Sequence, residues 1–242
     1  MTQKSDRRAH ALTDAASRHW KSRKIHRILE RRIDLSDARV LDVGAGSGQI
    51  SNYFQLVVKS VTAVDCDVSN ICVDGMDIIE TSDATLPFDT NAFDVVIFNH
   101  VIEHVGSRDD QRRSLGEIRR VLKTGGLMYL AVPSRWCLVE PHYRLPFLSW
   151  MPASLADRYV RALGKNSCYD CNPLGPRELT RLVEKAGFLV ENTTVEAYYD
   201  RIDIEMDNRS LGKILSAVPP VVIEYLKNAM PTFVLIGKNG VE

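Results

Sequence analysis

Residues 39–48 read RVLDVGAGSG: an apolar run that meets an acid and then alternates glycine with small residues. The stretch from Arg39 to Val43 predicts a short buried strand, and the glycines predict a sharp turn that a ligand can approach with no Cβ in its way. The dinucleotide-binding fingerprint is G-x-G-x-x-G. Here Gly44, Gly46 and Gly48 put the third glycine one position early, and Gln49 stands in its place. Asp42 precedes the turn. A carboxylate there repels a pyrophosphate and suits a cationic ligand.

Working outward, strands alternate with helices. A helix is expected over Gln49–Val58, a second strand over Ser60–Val64 closed by Asp65, and a third starting at Ile78-Ile79 and ending near Asp83. The near-continuous apolar run from Phe93 to Phe98 suits a central parallel strand buried on both faces. Ser107 reads as a helix N-cap with Asp110 three residues on, and Leu115, Ile118, Val121 and Leu122 form the buried stripe. Gly125-Gly126 ends that helix, and a fifth strand runs from Leu127 to Val132. Pro176 opens another helix, which Leu179, Leu182, Val183 and Ala186 continue and Gly187 caps. Strands follow at about 188–198 and 232–237, with a helical insertion between them.

The pattern predicts an α/β fold: a Rossmann-like three-layer sandwich on a mostly parallel seven-stranded sheet with one antiparallel strand. One domain of 242 residues is expected. It comprises an N-terminal helical cap (1–37), a ligand-binding core (38–133), a lid or acceptor segment (134–174) and a C-terminal part with helix, strands and insertion (175–242). Residues 133–173 have no clear period and are rich in proline and aromatics, which marks a functional loop. Ligands of such sheets bind beyond the carboxyl ends of the strands.

Composition excludes several classes. The chain is 45% hydrophobic and 26% charged, so it is globular, and 31 basic residues balance 31 acidic ones, which argues against nucleic acid as partner. Residues 1–32 nevertheless carry ten Lys or Arg against three acids. Ile25, Ile28, Leu29 and Ile33 recur there at helical spacing. The segment reads first as a helix with a solvated basic face, and second as a surface for peripheral membrane contact. No apolar run approaches the ~18 residues of a membrane span. The polar start lacks a leader's apolar stretch, and five cysteines fit reduced thiols, so a cytoplasmic location is expected.

Asp42-x-Gly44-x-Gly46-x-Gly48 resembles the first motif of class I methyltransferases that use S-adenosylmethionine (SAM). The resemblance continues in order along the chain. It implies that Gly44, Ala45, Gly46 and Gly48 face the methionine part of SAM and that Asp42 organises its amino group. Asp65, with Cys66 beside it, matches the acid that accepts hydrogen bonds from both ribose hydroxyls. Asp83-Ala84 matches the pair that reads adenine. Phe93-Asp94-Val95-Val96 followed by Glu103-His104-Val105 matches the fourth-strand signature, and Leu122-Lys123-x-Gly125-Gly126 the approach to the fifth strand. Asn99 and His100 follow strand four, where contact with the methionine end is expected. His104 reads as structural. The stretch between Asp67 and Asp77 is too short for a full crossover helix, a departure from the family pattern.

Methyl transfer from a sulfonium to a neutral hydroxyl needs alignment and a general base. The expected base is His142 in Glu140-Pro141-His142-Tyr143-Arg144, with Glu140 to orient or charge it and His100 as the next candidate. Trp136, Tyr143, Phe147 and Trp150 suit an acceptor pocket or a lipid surface. The E-P-H, L-P-F and W-x-P pattern is similar to methyltransferases that accompany bacterial surface-polysaccharide and glycolipid synthesis. Expected acceptors are therefore a hydroxyl of a sugar, glycolipid or small metabolite. N- or C-methylation of a small molecule such as a quinone-like ring, and a non-catalytic SAM-binding partner, remain alternatives. No metal is expected: Cys168 and Cys171 have knuckle spacing, but one pair supplies only two ligands.

Overall fold

The computed structural model describes residues 15–73, 75–81, 85–206 and 210–240. Asp83 and Ala84, the expected adenine-reading pair, lie outside the described residues. Five parallel strands form most of the sheet: β1 (Arg39–Val43), β2 (Ser60–Asp65), β3 (Ile78–Glu80), β4 (Phe93–Asn99) and β5 (Leu122–Pro133). Two more complete it, β8 (Phe188–Asn192) and β9 (Thr232–Asn239), in the order β3-β2-β1-β4-β5-β9-β8. Only β9 runs antiparallel to its neighbours, pairing Leu130 with Leu235 on one side and Val190 with Gly237 on the other.

The alternation of β4 builds the three layers. Val96 and Phe98 face one apolar core, with Leu115, Ile118 and Val121 of α3 (Arg108–Val121) and Leu179 and Val183 of α5 (Pro176–Lys185). Val95 and Ile97 face the other. That core holds Ile25, Ile28 and Leu29 of α1 (Ala15–Glu30), Ile50 and Phe54 of α2 (Gln49–Phe54), and Ala197 of α6 (Thr194–Glu205). A strand buried on both faces has no room for polar alternation, which is why its sequence reads as one apolar run. The Ser107 side chain accepts from the Asp110 N–H while the Asp110 carboxylate accepts from the Ser107 N–H, so the capping box that starts α3 is complete.

Four local expectations are corrected. The helix expected to end at Gly125-Gly126 stops at Val121, and β5 already begins at Leu122. The helix after β1 ends at Phe54, and 55–58 wind as turns. The strand expected to reach residue 198 stops at Asn192, because Thr194 already opens α6; buried Thr193 and Thr194 hydroxyls donate to the Val234 carbonyl at 3.1 and 3.4 Å and tie that start to β9. The segment 133–173 is not irregular throughout. It folds as a hairpin of β6 (Val139–Glu140) and β7 (Leu145–Pro146), a 3-10 turn at Leu148–Trp150, and a helix α4 (Ala153–Ala162). Ala156 and Val160 of α4 join Tyr143, Leu145, Leu148 and Cys171 in a small core of their own.

Part of the basic charge at the end of α1 is spent inside the molecule. Arg31 grips both oxygens of buried Asp200 at 2.7 Å, and Arg32 reaches Glu191 and Glu196 at 2.6 Å. Those side chains tie the turn that follows α1 to α6 and, through Glu191, to β8. No helix among the described residues is long and apolar enough to cross a membrane.

Candidate active site

The carboxyl ends of β1, β2 and β4 converge on the glycine-rich turn. Gly44 and Ala45 N–H groups both donate to the Val64 carbonyl, at 2.8 and 3.1 Å, which folds the turn back over β2. Gly46 has φ +58° and open space where a Cβ would stand, so its backbone lies bare to a ligand. Its N–H donates to Asp65 Oδ2 at 2.7 Å, and the Asp67 N–H donates to Oδ1 at 2.9 Å. These bonds fix the Asp65 carboxylate at the end of β2, and each oxygen keeps a second lone pair for a diol. Cys66 is exposed beside it.

Asp42 is 2% exposed and accepts from Ser51 Oγ of α2 at 2.5 Å. Burial pushes its carboxyl up to about 6; the Ser51 bond opposes the rise and the Asp65 charge adds to it. Its ionised form therefore gains from a cation nearby, and an α-ammonium is such a cation. The link from β2 to β3 holds a single 3-10 turn at Val68–Asn70, and among its described residues there is no crossover helix. Val73, Met76 and Ile78 instead pack against Ala45 and close over Gly48. A bare glycine backbone, a fixed carboxylate for a vicinal diol and a buried acid for an amine together fit SAM.

Beyond β4 the chain turns sharply. His100 has φ +58°, a left-handed conformation that histidine adopts more readily than most side-chain-bearing residues, and its N–H donates to the Ala131 carbonyl at 2.8 Å. The 3-10 turn Ile102–His104 follows. Its backbone is pinned from outside: the Asn172 N–H donates to the Glu103 carbonyl at 2.6 Å, and Gln111 Nε2 to the Ile102 carbonyl at 2.9 Å. Glu103 is thereby driven inward, 1% exposed, with neither carboxylate oxygen hydrogen-bonded among the described residues.

The 134–174 segment brings its own histidine to this spot. In the β6–β7 hairpin, buried Glu140 takes His142 Nδ1 on one oxygen at 2.8 Å and the Tyr143 N–H on the other at 2.7 Å. In the neutral ring that bond leaves the lone pair on Nε2, which lies 3.8 Å from Glu103 Oε1. His100 Nδ1 lies 3.4 Å from the same oxygen. The His142 ring meets those of His100 and His104 edge-on, at centroid distances of 6.2 and 5.1 Å. Cys171 Sγ stands 3.8 Å from Nδ1 of both His104 and His142, whereas Cys168 is exposed.

Electrostatics follow from this crowding. Burial raises the Glu103 carboxyl, but the contact with His100 and the fields of His100, His104 and His142 outweigh it and hold it below the usual range. Burial pushes His100 down, and Glu103 only partly offsets that. Burial also lowers His142, yet the Glu140 bond and the charges of Glu140, Glu103 and Asp170 more than compensate and leave it raised.

A family model described as a methyltransferase domain matches residues 13–193. The chain belongs to that family. It is a methyltransferase domain with the fold of the class I, SAM-dependent type. A probable SAM-dependent methyltransferase of Mycolicibacterium smegmatis is 28% identical over 183 residues, covering 74% of this chain and 62% of that protein. A ubiquinone biosynthesis O-methyltransferase of Xanthomonas oryzae pv. oryzae is 31% identical over 114 residues, covering 43% of this chain and 46% of that protein. The chain thus spans less than two thirds of the length of either relative. A solved SAM-dependent methyltransferase from Archaeoglobus fulgidus shares the fold, with a TM-score of 0.56 at 17% identity over 91% of this chain and 94% of that one.

Within the methyltransferase, the structure joins residues that the sequence kept apart. His100, Glu140 and His142 were expected near the acceptor, and they do meet. His104 and Cys171 join the same cluster, and so does Glu103, which sequence reading had treated only as part of a strand-four signature. The available signal was its spacing: His100, Glu103 and His104 occupy one turn of chain right after a buried strand.

Proposed function

We propose that this methyltransferase acts on a hydroxyl of a sugar, glycolipid or small metabolite, with the acceptor held at the His100–Glu103–His142 cluster. The observation that carries the reading is the buried carboxylate among imidazoles at the carboxyl end of β4, next to the glycine-rich turn. A neutral hydroxyl needs such a proton-handling cluster, because its oxygen must give up a proton as it takes the methyl group. SAM supplies the electrophilic methyl on its sulfonium. Asp42, Asp65 and the Gly44–Gly48 backbone hold and orient the cofactor. Glu140 fixes the His142 ring, and the Nε2 side of that ring receives the acceptor hydroxyl. The oxygen forms the new O–C bond as the C–S bond breaks, its electrons stay on sulfur, and the proton leaves through the imidazole cluster to water.

Trp136, Leu138, Val139, Phe147 and Trp150 are exposed around the same hairpin, and the two tryptophans and Phe147 stack edge-on. This apolar rim supports an acceptor with a lipid or ring portion, met at a membrane surface from the cytoplasm. Local similarity to a ubiquinone-pathway O-methyltransferase supports the hydroxyl class. The deciding experiment incubates the protein with methyl-labelled SAM and a panel of sugars, glycolipids, phenols and amines. Label in an ether linkage supports the reading; label found only in amines or on carbon overturns it.

A further inference from the structure

We propose that the cluster at the acceptor site is a binding site for a divalent first-row cation such as Zn2+, held by His100, Glu103 and His142. The proposal rests on the methyltransferase reading above and deepens it. One ligating atom from each of the three residues lies within 4.8 Å of the other two. Glu103 Oε1 is central, 3.4 Å from His100 Nδ1 and 3.8 Å from His142 Nε2. Metal–ligand bonds of ~2.1 Å at tetrahedral angles place neighbouring donors ~3.4 Å apart, so the two pairs that include Glu103 already stand at or within tenths of an ångström of that spacing.

The surroundings are built for it. Glu103 is fully buried with no well-formed hydrogen bond, and its nearest partners are the imidazoles of His100 and His142 at 3.4 and 3.8 Å, so a cation set among the three compensates its charge more closely. Glu140 holds His142 by Nδ1 and so turns Nε2 to the cluster, which is the carboxylate–histidine–metal relay that orients ligating imidazoles. The bond from the His100 N–H to Ala131 and the pinned 102–104 backbone hold the segment that carries the other two donors. Two nitrogens and one carboxylate suit Zn2+ or Mn2+ better than Mg2+ or Ca2+, which prefer all-oxygen sets. His104, Cys171 and His142 form a second group of three close donors. Its His142 approach is through Nδ1, 3.8 Å from Cys171 Sγ, and Glu140 already takes that atom.

Three protein ligands leave a coordination position open, the hallmark of a catalytic rather than a structural ion. An acceptor hydroxyl entering it would have its pKa lowered, and its proton would pass to water while His142 gives its Nε2 lone pair to the cation. The cation thus replaces direct proton removal by His142.

The test uses the whole chain stripped with chelator and titrated with Zn2+, Mn2+ and Mg2+ by calorimetry, with SAH titrated in parallel. One equivalent of Zn2+ or Mn2+ is expected, bound at least tenfold more tightly than Mg2+. His142→Ala and Glu103→Gln should each weaken Zn2+ at least tenfold while SAH affinity stays within about twofold, which also shows that the variants fold. Should buried Glu103 not tolerate replacement, half-buried His142 alone decides. Unsaturable binding in the parent, or unchanged Zn2+ affinity in His142→Ala, overturns the proposal. So does a thiolate-to-metal charge-transfer band in the Co2+-loaded protein, since that moves the ion to Cys171. Loss of SAH binding in the parent would sink the methyltransferase reading instead, so the two failures are told apart.

Discussion

Val101 fills the space that a side chain on Gly44 would need: a Cβ there would lie 2.3 Å from Val101 Cγ2. The segment after β4 is thereby seated directly on the cofactor turn. Gly44 also has φ +78°, which costs any other residue ~1–2 kcal/mol before the clash is counted. Gly44→Ala is expected to weaken SAH binding at least tenfold, and Gly44→Ala with Val101→Ala to recover part of the loss. Calorimetric SAH titration checks both, and full affinity in the single variant contradicts the packing.

Asp65→Ala should cost more than its expected contacts with the ribose. It removes charge-assisted bonds of ~1.5–3 kcal/mol each and also frees the Gly46 N–H. A fall in SAH affinity of tenfold or more is expected in a protein that still unfolds cooperatively. Asp65→Asn, which keeps an acceptor oxygen, should fall in between.

Asp42 gives a pH signature. Its carboxyl is pushed up to about 6 in the folded chain, against ~3.9 when unfolded. Between these values the folded state holds a proton that the unfolded state has lost, so stability falls as pH rises from about 4 through 6. The full effect is on the order of 2–3 kcal/mol. Denaturant titrations of the parent should show this decline, and Asp42→Asn should lack it. SAH affinity should move the opposite way, strengthening from pH 5 to 7 as the ionised carboxylate meets the ammonium. A pH-independent SAH affinity would falsify the contact.

His142→Ala is expected to lower kcat by about 10²-fold or more while SAH affinity changes little, because the residue belongs to the acceptor end. Glu140→Gln should fall between it and the parent, since the amide still meets Nδ1 but no longer charges the ring. Single-turnover rates set beside SAH titrations separate the two effects. Equal losses in both would place His142 with the cofactor.

Much of the fold is legible in the sequence. The apolar run Phe93–Phe98 and the glycine-rich turn report burial and backbone shape, which local sequence encodes directly. Helix α4 escaped because Ala156 and Val160 are its only buried residues, too few to set a period. The contact between Cys171 and His104 is hidden for a different reason: 67 residues separate them, and only the return of the chain after α4 brings them to 3.8 Å. Glu103 was read as a motif letter, since its burial depends on Asn172 and Gln111 from distant segments holding its turn.

The small core around Tyr143, Leu148 and Val160 gives the hairpin that carries His142 packing of its own, and Asn172 fastens the segment to the turn after β4. Evolution can then vary what is methylated in one stretch of chain while the machinery that grips the donor stays untouched in another. A protein engineer inherits the same seam: exchanging residues 134–174 between relatives should redirect acceptor choice and leave SAH affinity as it was.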